Sequence, residues 1–164
     1  MKTEYVFLGR IVNTHGIKGE LRILSSFEYK KQIFVPNFPI YVGENKEKQE
    51  IVSYRHHKEF EMVTLNGYNN INEVLKYKGK NVYVLREDLN LGDNYLLDDL
   101  INLDIYHNDT KIGVVDDIID NNSNILLHIS GENKFYIPKN NNFIKSVNLS
   151  KNRIDVENIE GLIL

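Results

Sequence analysis

Residues 13–23 read Asn13-Thr14-His15-Gly16-Ile17-Lys18-Gly19-Glu20-Leu21-Arg22-Ile23, with a histidine between a threonine and a glycine and a second glycine three positions on. Such a stretch can be a phosphate cradle, a catalytic loop or the turn of a β-hairpin. A cradle requires a strand, a glycine-rich turn and then a helix whose N-terminus faces the anion. After Gly19, however, Glu20 and Arg22 alternate with Leu21 and Ile23, the two-residue period of a half-buried strand. A nucleophilic dyad of Thr14 and His15 is disfavoured because successive side chains on an extended chain point opposite ways. The hairpin fits best: Gly16 and Gly19 permit backbone angles that alanine resists, so the chain can reverse between strands at 5–12 and 20–25. This turn would display Thr14, His15, Gly16, Lys18 and Gly19, with Arg10 and Arg22 on the flanking strands. Hydroxyl, imidazole and cationic groups on an ordered tip suit phosphate and sugar contacts without reactive chemistry, and a plain turn with no such role stays open beside that reading.

Short strands recur outward from this loop. Tyr5–Leu8 runs into Arg10–Val12, and Ile40–Val42 follows an irregular stretch bracketed by Pro36 and Pro39. Residues 50–55 and 59–65 form a hairpin pair across His57-Lys58. Asn70 and Glu73 have capping-box spacing for a short helix that Gly79 closes, and Val82–Leu85 returns to strand. The polar run Arg86–Asn94 reads as a linker. Beyond it, Tyr95–Ile101 is one helical turn or a short extended arm. Strands are then expected at 103–106, 111–115, 125–129, 135–137 and 153–156, separated by Asn108-Asp109, Asn121–Asn124 and Gly131–Asn133. The chain is therefore expected to be mostly β: two small β-barrels, residues 1–88 and 95–164, joined by a linker at 89–94.

Charge divides along the same line. Residues 1–88 hold 14 Lys and Arg against 11 Asp and Glu, a balance of +3, whereas residues 89–164 hold 6 against 12, a balance of −6. Opposite signs point to two surfaces with different partners, or to chance drift of surface charge. The absence of cysteine excludes disulfides, zinc–thiolate sites and cysteine nucleophiles. No apolar run approaches the roughly 18 residues of a membrane span, and the N-terminal run is too brief for a secretory core, so a cytoplasmic protein without membrane contact is expected. The histidines at 56, 57, 107 and 128 read as surface or turn residues, and Asp98-Asp99 and Asp116-Asp117 as solvated faces. No catalytic residue, metal ligand or cofactor is expected.

The segment Gly9–Arg22 resembles the opening signature of the RimM family of bacterial ribosome maturation factors, which runs G-x-I-x-x-x-H-G-[IL]-x-G-E-[VL]-[RK]. Gly67, the helix at 70–78 and the strand at 82–87 resemble later parts of the same domain. Tyr95–Ile101, Ile112–Val115, Ile137-Pro138 and Glu160–Leu162 resemble the family's PRC-barrel. The resemblance implies a non-catalytic, chaperone-like monomer for the head of the immature 30S subunit. It would bind the small-subunit ribosomal protein uS19 and promote 16S rRNA maturation, with RNA contact secondary. It also implies a protein-binding arm of Tyr95, Leu96, Asp98, Asp99 and Leu100, with the loop set Arg10 to Arg22 facing rRNA. Leu96 stands where the family often carries a second tyrosine, and Asn102 where it often carries glycine. Two alternatives remain: a regulatory PRC-barrel module, and an RNA-modifying enzyme using His15 with a carboxylate.

Overall fold

The computed structural model describes residues 3–121 and 124–163, and the chain divides into two compact units, the first ending at Gly92 and the second starting at Asp93. In the first unit six strands form β1 (Tyr5–His15), β2 (Glu20–Leu24), β3 (Pro39–Val42), β4 (Glu47–His57), β5 (Phe60–Leu65) and β6 (Asn81–Leu85). They close into a barrel in the order β1-β2-β5-β4-β3-β6. Alternation sends Leu8, Ile11, Leu21, Ile23, Val82 and Val84 into the interior, all nearly inaccessible to solvent. Each such side chain contributes about 1.5–3 kcal/mol when fully buried.

The hairpin reading of 13–23 holds. β1 pairs antiparallel with β2 through Thr14↔Leu21 and His15↔Glu20, and Gly16 and Gly19 lie at φ +73° and +88°. β1 runs past its expected end at Val12 because a bulge between Ile11 and Asn13 resets the register and keeps the strand paired. The turn is tied down by Ile71, whose N–H donates to the Ile17 carbonyl at 2.9 Å. Ile71 opens the short helix α2 (Ile71–Val74), where the Asn70 side chain accepts from the Glu73 N–H at 3.3 Å, as its spacing implied.

One helix escaped the sequence reading: α1 (Lys30–Ile33) carries no helical stripe longer than a turn, yet it buries Ile33 and, just after it, Phe34. Glu61, on β5, is only 2% exposed. Its carboxylate accepts from the Tyr54 hydroxyl at 2.7 Å and lies 2.9 Å from His56 Nδ1 and 3.9 Å from Lys30 Nζ. Burial, followed by the hydrogen bond to Glu61 and then its charge, pushes the Tyr54 hydroxyl up to about 12. In the stretch expected to link the units, Leu89 is buried and Asn90 exchanges two hydrogen bonds with Gln32, at 2.8 and 2.9 Å. Those two residues are thus fastened to the first unit.

The second unit forms β7 (Asp104–His107), β8 (Thr110–Asp120), β9 (Ile125–Ser130), β10 (Phe135–Pro138), β11 (Ile144–Asn148) and β12 (Arg153–Val156), in the sheet order β10-β9-β8-β7-β12-β11. β7 and β12 pair in parallel and the other neighbours antiparallel. Leu100, Ile105, Val115, Leu127, Ile129 and Ile154 lie in its core. β11 was not expected because Lys145, Ser146 and Asn148 obscure its alternation. The turn at Asn108-Asp109 has both residues at positive φ, 50° and 64°, as a tight hairpin requires. Of the turn expected at Asn121–Asn124, Asn122 and Ser123 lie outside the described residues, while the Asn121 N–H donates to the Asn124 carbonyl at 2.9 Å. The chain is mostly β, and no helix among the described residues is long and apolar enough to cross a membrane.

Candidate functional site

Cross-strand pairing gathers a cationic group at one end of the barrel. Asn13 pairs with Arg22 and His15 with Glu20, so the side chains of residues 13, 15, 20 and 22 share one face. The Arg22 guanidinium reaches His15 Nδ1 at 2.6 Å. Arginine can only donate, so Nδ1 is the acceptor in this contact. Arg22 also lies 5.7 Å from the Phe60 ring centroid, and its Nε is buried without a hydrogen-bond partner. Because β2 pairs with β5 and β5 with β4, the hairpin at 57–60 comes beside the loop: the His57 ring is 6.2 Å from His15. Arg55 then closes on Glu20 with two hydrogen bonds of 2.8 and 2.9 Å.

The electrostatics follow from this crowding. Desolvation, and then the charges of Arg55, Lys58, His15 and Arg22, hold the His57 imidazole below its usual value. The hydrogen bond from Arg55 holds the Glu20 carboxyl below its ordinary value against an opposing desolvation effect, with Arg55, His15 and His57 adding favourable charge. A carboxyl lowered in the folded state stabilises above its unfolded pKa and loses that contribution as pH falls through the folded one. Arg55→Gln is therefore expected to move the Glu20 titration up into the ordinary carboxylate range when followed by carbonyl NMR; an unmoved titration would show that the ion pair does not form in solution.

The expected loop set is only partly assembled. His15 and Arg22 meet, and Gly16 and Gly19 shape the turn. Lys18 projects near the tip beside Ile17, which is 80% exposed, and borders a shallow groove with Val52, Thr64, Asn66 and Tyr68. Thr14 pairs with the buried Leu21 and so faces away from His15. Arg10 pairs with Leu24, five positions and about 16 Å along the strand, and belongs to a different part of the surface. Arg55, His57, Lys58 and Phe60 were not expected here. His57-Lys58 had been read only as a turn, and no local pattern tells which strand a hairpin will lie against.

The second unit's arm also departs from expectation. Residues Leu97–Leu100 form a 3-10 turn, and the Asp99 carboxylate accepts from the Leu96 N–H at 2.9 Å, so it caps the turn instead of standing as a rim charge. Leu96 is 4% and Leu100 1% exposed, so neither side chain stands open on the surface as the arm reading expected. Tyr95 is half-buried against the second core with Lys139 Nζ 5.3 Å from its ring centroid, and Asp98 is exposed. No group of three or more His, Asp or Glu among the described residues could hold a metal ion.

Comparison with known proteins gives two family models in series: the RimM N-terminal domain matches residues 6–89 and the RimM PRC barrel domain residues 97–162. A protein of Ligilactobacillus salivarius named ribosome maturation factor RimM is 37% identical over 96% of this chain and 98% of its own length. A Staphylococcus haemolyticus protein of the same name matches at 37% identity with the same coverage. A solved chain from Pseudomonas aeruginosa, under a RimM 16S ribosomal RNA processing name, covers 94% of this chain and 97% of its own at 18% identity and a TM-score of 0.44.

Proposed function

The chain belongs to the RimM family, and from that premise we propose that it is a ribosome maturation factor working by binding alone. Its second unit docks a basic small-subunit ribosomal protein of the uS19 type, and its first unit touches neighbouring 16S rRNA on the immature 30S subunit. The observation that carries the RNA half is the barrel end where Arg22, Arg55 and Lys58 stand with His15 and His57 around the Arg55-paired carboxylate of Glu20. Such a surface attracts phosphate and orients it through guanidinium and imidazole donors. The protein half rests on the −6 balance of residues 89–164, which steers and complements a basic partner. Tyr95 and Asp98 are the arm residues left to meet that partner. Leu100 holds the arm from inside the second core.

The same geometry argues against an RNA-modifying enzyme. His15 Nδ1 faces a guanidinium rather than a carboxylate, and the nearest carboxylate on its face is closed by Arg55. The factor acts as a monomeric cytoplasmic chaperone, without cofactor or membrane. Its binding free energy holds ribosomal protein and RNA in a productive arrangement until mature contacts displace it.

Co-sedimentation with small subunits is expected to favour immature over mature particles; equal recovery with both would sink the maturation role. RNA affinity should also tighten as pH falls from 8 towards 6. Phosphate beside His57 favours its charged form, which desolvation first and then Arg55, Lys58, His15 and Arg22 oppose in the free protein. His57→Gln should flatten that dependence. An equally steep profile in the variant would remove His57 from the interface.

A further inference from the structure

Arg10, absent from the cationic end, is exposed on the barrel and pairs with Asn81, two residues before Tyr83 on β6. Phe7 pairs with Tyr83 on β6, and Tyr83 pairs with Tyr41 on β3, so three rings lie in one row across three strands. The Phe7 and Tyr83 centroids are 5.9 Å apart and edge-on, and Tyr5 meets Tyr41 the same way at 5.4 Å. Phe7 is 55% and Tyr5 40% exposed. Both are large rings whose burial would be favourable, left open on a sheet surface.

Cations flank the row. Lys46 lies 4.2 Å from the Tyr83 centroid and 5.6 Å from that of Tyr5, from a turn whose residue 46 adopts φ +52°. The Lys80 side chain runs beside the same turn, at Gly43. Beyond the bulge in β1, Arg10 pairs with Asn81 on one side and Leu24 on the other, and all three are exposed. At the far end burial, and then the charges of Asp88, Tyr5 and Glu87, hold the Tyr41 hydroxyl above its usual value. The patch is therefore apolar and aromatic in the middle and acidic at the Tyr41 end, while at the other end Lys80 shares its pocket with Glu44 and Glu47 and Arg10 lies exposed beside Asn81.

We propose that this outer face, built on Phe7, Tyr83 and Tyr5 with Arg10, Lys46 and Lys80, is a platform for single-stranded RNA. Unpaired bases stack on the rings while the backbone follows the cations. Stacking needs an exposed ring, which Phe7 and Tyr5 offer, and tolerates any base; phosphate needs a cation within one nucleotide's reach, and Lys46 over the Tyr83 ring supplies one. Helical RNA keeps its bases inside and would gain only the phosphate contacts. Repulsion from Asp88 and Glu87 sets the polarity, with the backbone on the Arg10 side. The inference deepens the maturation-factor reading and rests on it, since it takes the rRNA that the first unit touches to be unpaired on the immature particle.

The test uses the full chain and a labelled mixed-sequence oligoribonucleotide of about ten nucleotides, within the length range that stacking modules engage. Phe7→Ala should weaken binding ~5- to ~150-fold, the range for loss of one stacked base, while Phe7→Tyr keeps it. Lys46→Gln should lower the slope of log affinity against log salt by about 0.7, the value for one single-strand phosphate. A duplex or an abasic strand of equal length should bind more weakly than the normal single strand. Phe7 is more than half exposed, so folding should survive its truncation, and unchanged circular dichroism on melting checks this. The platform is overturned if the wild type ignores the oligonucleotide, if Phe7→Ala binds like wild type, or if duplex binds as tightly as single strand. It is likewise overturned if Phe7→Ala keeps RNA but loses the ribosomal protein, which would make the patch a protein contact. Loss of RNA binding with preference for immature particles partly retained supports the platform. A wild type that lacks particle preference yet binds the oligonucleotide through Phe7 would instead sink the maturation role alone.

Discussion

Gly19→Val should destabilise the first unit by about 4 kcal/mol. Two costs combine. At φ +88° a β-branched residue sits in a region it rarely adopts, worth about 1–3 kcal/mol. A Cβ would also stand 3.0 Å from the Asn70 carbonyl oxygen, a rigid backbone atom, and overpacking adds about 1–3 kcal/mol. That carbonyl belongs to the cap of α2, and the Ile71 N–H next to it fastens the turn through Ile17, so relief by movement would loosen the loop and helix together. Gly16→Val is the internal control. Its φ is +73° but no heavy atom lies within 4 Å of its Cβ position, leaving only a backbone cost of about 1–2 kcal/mol. Because two units need not unfold together, the measurement is urea unfolding followed at the amide protons of β1 and β2. Equal losses in the two variants would show that the Asn70 contact does not constrain the turn.

Leu100→Ala is expected to cost about 2–5 kcal/mol in the second unit, the usual loss for removing a leucine from a packed core. Leu100 is 1% exposed among Leu103, Ile105, Val115 and their neighbours, and the cavity left cannot collapse without moving the 3-10 turn that Asp99 caps. Tyr95→Ala should cost less stability and weaken capture of the basic ribosomal protein. The pair separates two accounts of the arm, a docking peptide or a buried brace with two surface residues. A Leu100→Ala protein as stable as wild type but deficient in partner binding would restore the leucine as an anchor.

Much of the architecture is legible in the chain order. Alternation at 20–23 and glycines at 16 and 19 force a hairpin whatever surrounds them, because side-chain period and allowed φ are local properties. The Asn70–Glu73 cap is local for the same reason. α1 and β11 escaped because a four-residue helix and an interrupted strand owe their existence to the surface they cover, not to their own periodicity.

The candidate sites divide along the same boundary. Residue types and the charge change near residue 89 are written in the sequence, as is the family signature, because each is carried by neighbours along the chain. Which residues meet is not. His57 and Arg55 join His15 and Arg22 only because β5 lies between β2 and β4. The bulge in β1 and its pairing with β6 place Arg10 by Asn81, on the face that holds Phe7 and Tyr83, and burial turns Leu96 and Leu100 inward. Closing a sheet into a barrel couples positions tens of residues apart through register, and register depends on how every strand packs at once.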